Sequence, residues 1–158
     1  MVSDHNAAEK VEIRRMTLED LDEILEIEHS SFGSPWSRDM FKAELRSRIS
    51  LSLVAVFREK DREYIAGYVN FWMVADEFHL NSIAVRRDLR RRGIASLLMA
   101  EVIRTAKMNG AVCGTLEVRK SNAAALSMYE KFGFLIKGIR PLYYTDTMED
   151  ALILWVDI

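Results

Sequence analysis

Five arginines crowd into positions 86–92, at Arg86, Arg87, Arg90, Arg91 and Arg92, and the next residues are Gly93-Ile94-Ala95-Ser96. Upstream, Ile83-Ala84-Val85 ends an apolar run. Downstream, Ala95, Leu98, Met99, Val102, Ile103 and Ala106 recur at helical spacing. A strand that enters a basic loop and opens a long helix leaves free N–H groups and the positive end of a helix dipole at the junction. Gly93 and Ala95 keep bulk away from that backbone, a geometry suited to a pyrophosphate. No Gly-Lys-Ser/Thr follows, so this is not a Walker loop, and the three-glycine dinucleotide fingerprint is missing too. The residues alone leave a solvated basic loop open as the alternative.

A second constellation is Glu117 with Tyr129. Glu117 stands between the apolar Leu116 and Val118 in a strand-like run. One face of that strand must be core, so Glu117 points elsewhere, into a cleft or into solvent. Tyr129 falls on a helix near Leu126 and Phe132, where a core-edge tyrosine is the alternative to a reactive one. Cys113 is the single cysteine, with no histidine near it in sequence, and reads as a small buried hydrophobe. His5, His29 and His79 fit no metal spacing, and none is assigned a role. No metal site is expected.

The elements that must hold these residues follow from pattern. Val11–Arg15 alternates as a strand. Thr17, with Asp20 three residues on, reads as a capped helix start running to about Ser31. Gly33-Ser34-Pro35-Trp36 is a turn, and Ser37 caps a shorter helix to about Ser47. Leu51–Phe57, Tyr64–Val74 and Phe78–Val85 read as an antiparallel meander. A helix over Ile94–Met108 ends at Asn109-Gly110. A strand over Ala111–Val118, a helix from a Ser121 cap to Phe132, and strands over 134–144 and 150–156 complete the chain. The expected fold is a single α/β domain over residues 11–158. Its core is a central mixed, twisted sheet flanked by helices: a meander, then strand–helix–strand–helix, then a C-terminal hairpin. Residues 1–10 are expected to be a flexible extension.

Composition bounds the function. The chain has 158 residues, 49% hydrophobic and 29% charged, with a net charge of −2. This suits one soluble domain and excludes disordered, collagen-like and disulfide-scaffold classes. One cysteine cannot form an internal disulfide, and no apolar run approaches the roughly 18 residues of a membrane span. A cytoplasmic protein with no membrane or direct nucleic-acid partner is expected.

Arg90-x-x-Gly93-x-Ala95 after Ile83-Ala84-Val85 resembles the acetyl-coenzyme A signature of the Gcn5-related N-acetyltransferases. The run Leu116-Glu117-Val118-Arg119-Lys120-Ser121-Asn122-Ala123-Ala124-Ala125-Leu126, followed by Met128-Tyr129-Glu130-Lys131-Phe132-Gly133-Phe134, resembles the second signature of that family's N-terminal amino-acid acetyltransferase branch. Pro35-Trp36-Ser37 and Tyr143-Tyr144 with Glu149-Asp150-Ala151 match as well, so the likeness runs from about Val11 to Ile158. The resemblance implies acetyl-coenzyme A as co-substrate, without a metal. It implies coenzyme contacts from Ile83, Ala84, Val85, Arg90, Arg91, Arg92, Gly93, Ile94, Ala95, Ser96 and Asn122. It implies Glu117 as general base and Tyr129 as general acid in direct attack of an amine on the thioester. Phe32, Trp36, Tyr143 and Tyr144 become walls of a groove for a peptide N-terminus. The expected acceptor is the N-terminal alanine of a small-subunit ribosomal protein. The alternatives are a lysine or small-molecule amine, or a non-catalytic coenzyme-binding module. Two departures stand out: Ala95 replaces the second glycine of the phosphate turn, and Thr145-Asp146 follows Tyr143-Tyr144 where proline is common.

Overall fold

The structure is a computed structural model that describes residues 10–158. The extension expected at 1–10 lies, apart from Lys10, outside the described residues. Seven strands form one mixed sheet in the order β1-β2-β3-β4-β5-β7-β6. They are β1 (Val11–Arg15), β2 (Ser50–Glu59), β3 (Arg62–Val74), β4 (Glu77–Val85), β5 (Cys113–Arg119), β6 (Leu135–Tyr144) and β7 (Glu149–Asp157). Four helices accompany them: α1 (Leu21–Ser31), α2 (Arg38–Arg46), α3 (Ile94–Met108) and α4 (Ala123–Lys131). The meander, the α/β alternation and the final hairpin all match the sequence reading. The chain clusters into two compact units: residues up to Phe71 with Ser82–Val102, and Trp72–Asn81 with Ile103–Ile158.

In the first unit β1 lies antiparallel to β2, with Val11 opposite Phe57 and Arg15 opposite Leu53. Leu21, Ile24 and Ile27 of α1 and Phe41 of α2 pack on Val54, Val56, Ile65 and Tyr68 of the sheet. Fully burying each such side chain stabilises by about 1.5–3 kcal/mol. Two local readings shift. The Thr17–Asp20 capping box forms, but it encloses a single 3₁₀ turn, Leu18–Asp20, and α1 begins only at Leu21. Arg14 fixes that turn by donating to both oxygens of Asp20, at 2.8 and 2.9 Å. At α2 the Ser37 hydroxyl accepts the Met40 N–H as expected.

In the second unit the parallel ladder runs from Glu77 opposite Cys113 to Leu80 opposite Leu116. On the other side, β5 pairs antiparallel with β7 along its whole length, Cys113 with Asp157 through Arg119 with Ala151. The Phe78 ring is fully buried against Gly114, where a Cβ would come within 2.1 Å of ring atoms. That contact is why β5 carries glycine next to its start. The strand begins at Cys113 rather than at Ala111, because the Val112 N–H is bound by Asp76 outside the ladder. Helix α4 is capped by Asn122, whose Oδ1 accepts the Ala125 N–H at 3.2 Å, and not by the expected Ser121. Ser121 donates its backbone N–H to Glu149 instead. Gly133, at φ +90°, ends the helix in the left-handed region, as its sequence position suggested.

Arg119, at the end of β5, organises the β6–β7 turn. Its guanidinium donates to Asp146 Oδ2 at 2.7 Å and to Thr147 Oγ1 at 2.9 Å, and it lies 4.1 Å from the Tyr144 ring centroid. Asp146, whose Oδ1 also accepts the Thr147 N–H, is held below its ordinary 3.8 by the Arg119 hydrogen bond. A carboxylate with a lowered folded pKa contributes stability above its unfolded pKa and loses it as pH falls through the folded value.

Two outcomes follow from this packing. Gly114→Ala should lower stability by about 1–3 kcal/mol, the usual cost of overpacking a core. Chemical denaturation should show a lower midpoint with an unchanged slope. Titration of the Thr147 amide resonance should report Asp146 with a midpoint below 3.8 in the natural chain. Arg119→Ala should return that midpoint to the ordinary range and loosen the turn at neutral pH. An unmoved midpoint would remove Arg119 from this role.

Candidate active site

Helix α3 opens on a backbone prepared for an anion. Gly93 sits at φ +79°, a conformation glycine adopts without strain. A Cβ added there would meet nothing within 4 Å, so the space over the turn is open. The Gly93 carbonyl accepts the Leu97 N–H at 3.0 Å and starts the helix. Among the described residues, the N–H groups of Ile94, Ala95 and Ser96 have no partner in the protein, and the first turn holds no acidic side chain. A diphosphate fits this cradle by charge, hydrogen bonding and room.

The arginines divide into two groups. Arg86 is held by the Ile65 carbonyl at 3.1 Å and by Glu23 and Glu26. Arg87 donates to the Ser30 carbonyl. Arg90 donates to the Val85 carbonyl at 3.1 Å and to Ser31 Oγ at 3.1 Å. Arg90 therefore ties β4 and α1 to the loop, and its guanidinium is already engaged. Arg91, at φ +62°, and Arg92 are exposed and have no protein hydrogen-bond partner among the described residues. Of the strand expected to line the coenzyme, Ala84 and Val85 are buried and Ile83 is half-buried. The Asn122 side chain is used as a helix cap. That role leaves its N–H₂ group available.

In the second unit Glu117 does not lie alone. Period-two alternation along β5 buries Leu116 and Val118 and turns Thr115, Glu117 and Arg119 to the other face. The side chain of Glu117 is 18% exposed, with His79 Nε2 3.4 Å from Oε2 and Arg140 Nη2 3.4 Å from Oε1. His79 stands on β4 opposite Thr115, on the same face as Glu117, and its ring neighbours Trp72. Sequence reasoning gave His79 and Arg140 no part in the site. His79 falls in the strand-like run Phe78–Val85, but no local pattern reveals which strand lies beside it.

Tyr129 is buried on α4, at 4% exposure, with its ring 5.5 Å from Phe134. Burial pushes its hydroxyl well above the ordinary phenol range. The hydroxyl makes no protein hydrogen bond among the described residues, yet none of their fully buried side-chain polar atoms is left unpaired. The ring is thus core while the oxygen keeps access to solvent. Tyr143 is half exposed and Tyr144 is half-buried beneath Arg119, their rings edge to face at 5.2 Å. In the first unit Phe32 is exposed, and Trp36 packs on Phe41 at 5.2 Å. Cys113 is free and buried, and burial raises its thiol pKa, consistent with an inert side chain. The described residues hold no cluster of metal-ligating side chains.

Comparison with known proteins places this geometry. The chain is 41% identical over 149 residues to a Bacillus subtilis (strain 168) protein provisionally named a [ribosomal protein bS18]-alanine N-acetyltransferase, covering 94% of this chain and 97% of that protein. It is 37% identical to the Salmonella typhimurium [ribosomal protein bS18]-alanine N-acetyltransferase, across 88% of this chain and 92% of the relative. The crystal structure of the ribosomal-protein-S18-alanine N-acetyltransferase from Escherichia coli superposes with a TM-score of 0.83 at 32% identity, covering 94% of each chain. Ard1 from Thermoplasma volcanium shares the fold, with a TM-score of 0.85 at 22% identity. The model of the acetyltransferase (GNAT) family matches residues 21–134, which include both the α3 cradle and the Glu117–Tyr129 segment, and the chain belongs to that family.

Proposed function

We propose that the chain is an acetyl-coenzyme A-dependent N-α-acetyltransferase whose catalytic domain is residues 11–158. Its acceptor is a protein N-terminus, and the N-terminal alanine of a small-subunit ribosomal protein fits best. The observation that carries this reading is the end-to-end similarity to enzymes named for that acceptor. The α3 cradle supports the coenzyme half. A cytoplasmic location agrees with this substrate, and among the described residues no helix is long and apolar enough to cross a membrane.

Acetyl-coenzyme A supplies an acetyl group activated as a thioester. Gly93, Ile94, Ala95 and Ser96 offer backbone N–H groups to its pyrophosphate, with Arg91 and Arg92 adding charge. Arg90 shapes the loop, and Asn122 offers its N–H₂ group. Backbone N–H groups at the Ile83–Val85 end of β4 are the proposed donors to the charge that develops on the acetyl oxygen. An α-amine, with a pKa near 8, is about one-tenth neutral at pH 7, far more than a lysine side chain near 10.4. Glu117 takes the remaining proton, directly or through a water. Arg140 and His79 hold its carboxylate in place. Tyr129 stays protonated at neutral pH and can donate to the departing thiolate. By the family resemblance, Phe32, Trp36, Tyr143 and Tyr144 are the residues assigned to the acceptor peptide.

Coenzyme release should be fastest with N-terminal alanine peptides in a panel that also holds a lysine peptide and a polyamine. Preference for either of the latter would overturn the acceptor assignment, and release with none would indicate a binding module. Glu117→Gln should slow turnover roughly 10²–10⁴-fold. The deficit should shrink as pH rises, because more amine is then already neutral. Wild-type turnover at pH 7 would remove Glu117 from the base role. Tyr129→Phe should keep stability within about 1 kcal/mol, the net worth of a hydrogen bond, while turnover falls and coenzyme binding persists. An unfolded variant would identify Tyr129 as a core residue only.

A further inference from the structure

Glu28 is 1% exposed, a carboxyl buried on α1 along with Leu21, Ile24 and Ile27. An unpaired carboxyl there would be costly, so its partners show what keeps it. Oε1 accepts the backbone N–H of Trp36 at 2.9 Å. Oε2 accepts the hydroxyl of Tyr68 on β3, and that hydroxyl also lies 3.1 Å from Ser82 Oγ on β4. Burial pushes the carboxyl up to about 7, so the side chain works as an acceptor in either protonation state. No cation faces it. A hydrophobic side chain of similar size would pack in its place without any desolvation cost. What the carboxyl adds is a fixed attachment for the segment between α1 and α2.

That segment is Phe32–Ser37, and its sequence does not hold itself in place. Gly33 and Ser34 are exposed, and Pro35 has no N–H to offer. The Trp36 N–H is its one backbone donor bound by a buried side chain. The same anchor seats the Trp36 ring on Phe41, whose ring in turn meets Tyr68 edge-on at 5.5 Å. A single buried carboxyl therefore fixes both the backbone and the ring of Trp36, and refers them to β3 and β4.

We propose that Glu28 is a positioning residue for the acceptor: by gripping the Trp36 N–H and the Tyr68 hydroxyl, it holds the Phe32–Trp36 segment in the shape that receives the incoming N-terminus. This rests on the reading of Phe32 and Trp36 as acceptor-binding residues. Glu28 touches no substrate in this role. Its loss acts on the acceptor's affinity and selectivity, and leaves the α3 cradle, which it does not contact, unaltered.

The test compares Glu28→Leu with Glu28→Gln in the full chain, using an N-terminal alanine peptide and acetyl-coenzyme A. Glu28→Leu fills the space and removes the acceptor atoms. It should raise KM for the peptide at least about tenfold, with KM for acetyl-coenzyme A changed less than about twofold. Glu28→Gln keeps a carbonyl oxygen for the Trp36 N–H, and Tyr68 can accept from its amide. It should return the peptide KM to within about threefold of the natural protein. Equal behaviour of the two variants, an unchanged peptide KM in Glu28→Leu, or a parallel rise in both KM values would overturn the proposal. Amide exchange on the unaltered protein does not depend on either variant folding. The Trp36 amide should exchange much more slowly than those of Gly33 and Ser34, and equal rates would overturn the anchor. If the unaltered protein acetylates no N-terminal peptide, the acceptor reading fails and takes this role with it. Activity in the unaltered protein with an unmoved peptide KM in Glu28→Leu sinks only the role of Glu28.

Discussion

The alternation of side chains along β5 is the constraint on which the second unit depends. A strand paired on both sides cannot rotate, so every second residue is committed to one face. Leu116 and Val118 are buried, and Thr115, Glu117 and Arg119 are committed to the opposite face. Glu117 and Arg119 are two residues apart on one rigid strand, yet they do different work. One is met by His79 and Arg140, while the other reaches the β6–β7 turn and stacks on Tyr144. A one-residue slip of register would bury both charges. Gly114 guards against part of that freedom, because only a residue without Cβ fits beneath Phe78.

Charge in the first unit is spent mostly on architecture. Arg86, Arg87 and Arg90 are bound by backbone carbonyls, by Ser31 and by acidic residues of α1. A guanidinium committed to carbonyl oxygens is unavailable to a phosphate without breaking those bonds. The cluster seen in the sequence therefore overstates the mobile charge at the α3 cradle, which reduces to Arg91 and Arg92. What the bound arginines contribute is loop shape. The chain must pass through φ +62° at Arg91 and φ +79° at Gly93 to turn from β4 into α3, and Arg90 pins the strand end just before that turn.

Much of the fold was legible in the sequence because its elements declare themselves locally. Helix α3 spans Ile94–Met108, the range its apolar period predicts. The strand meander, the Ser37 cap and the Gly133 stop hold for the same reason. Errors cluster at element ends, where neighbouring polar residues compete: Asn122 caps α4 in place of Ser121, and a 3₁₀ turn separates Thr17 from α1. The partners of the candidate site were not legible. His79 meets Glu117 only because β4 lies parallel to β5 with His79 opposite Thr115. A crossover register of that kind leaves no local signature. Glu28 lies among the buried positions of α1, and its purpose was not legible, since its partners come from a distant strand and a loop.

On the proposed mechanism, the two reactive groups need opposite environments, and the fold supplies them from adjacent segments. A base for an incoming amine must be reached from outside, and Glu117 retains partial exposure with the Arg140 guanidinium on one side and the His79 ring on the other. Arg140 offsets part of the cost of holding a carboxylate at a partly buried position, and both neighbours restrict its rotamers. A proton donor to a thiolate must hold its proton until the thiolate forms, and burial of Tyr129 secures that. Burial also restricts the ring, which packs edge-on against Phe134. Exchanging the two environments would defeat both roles. A buried, uncompensated Glu117 would be neutral, and a freely exposed Tyr129 would lose the positional constraint that makes a weak acid effective.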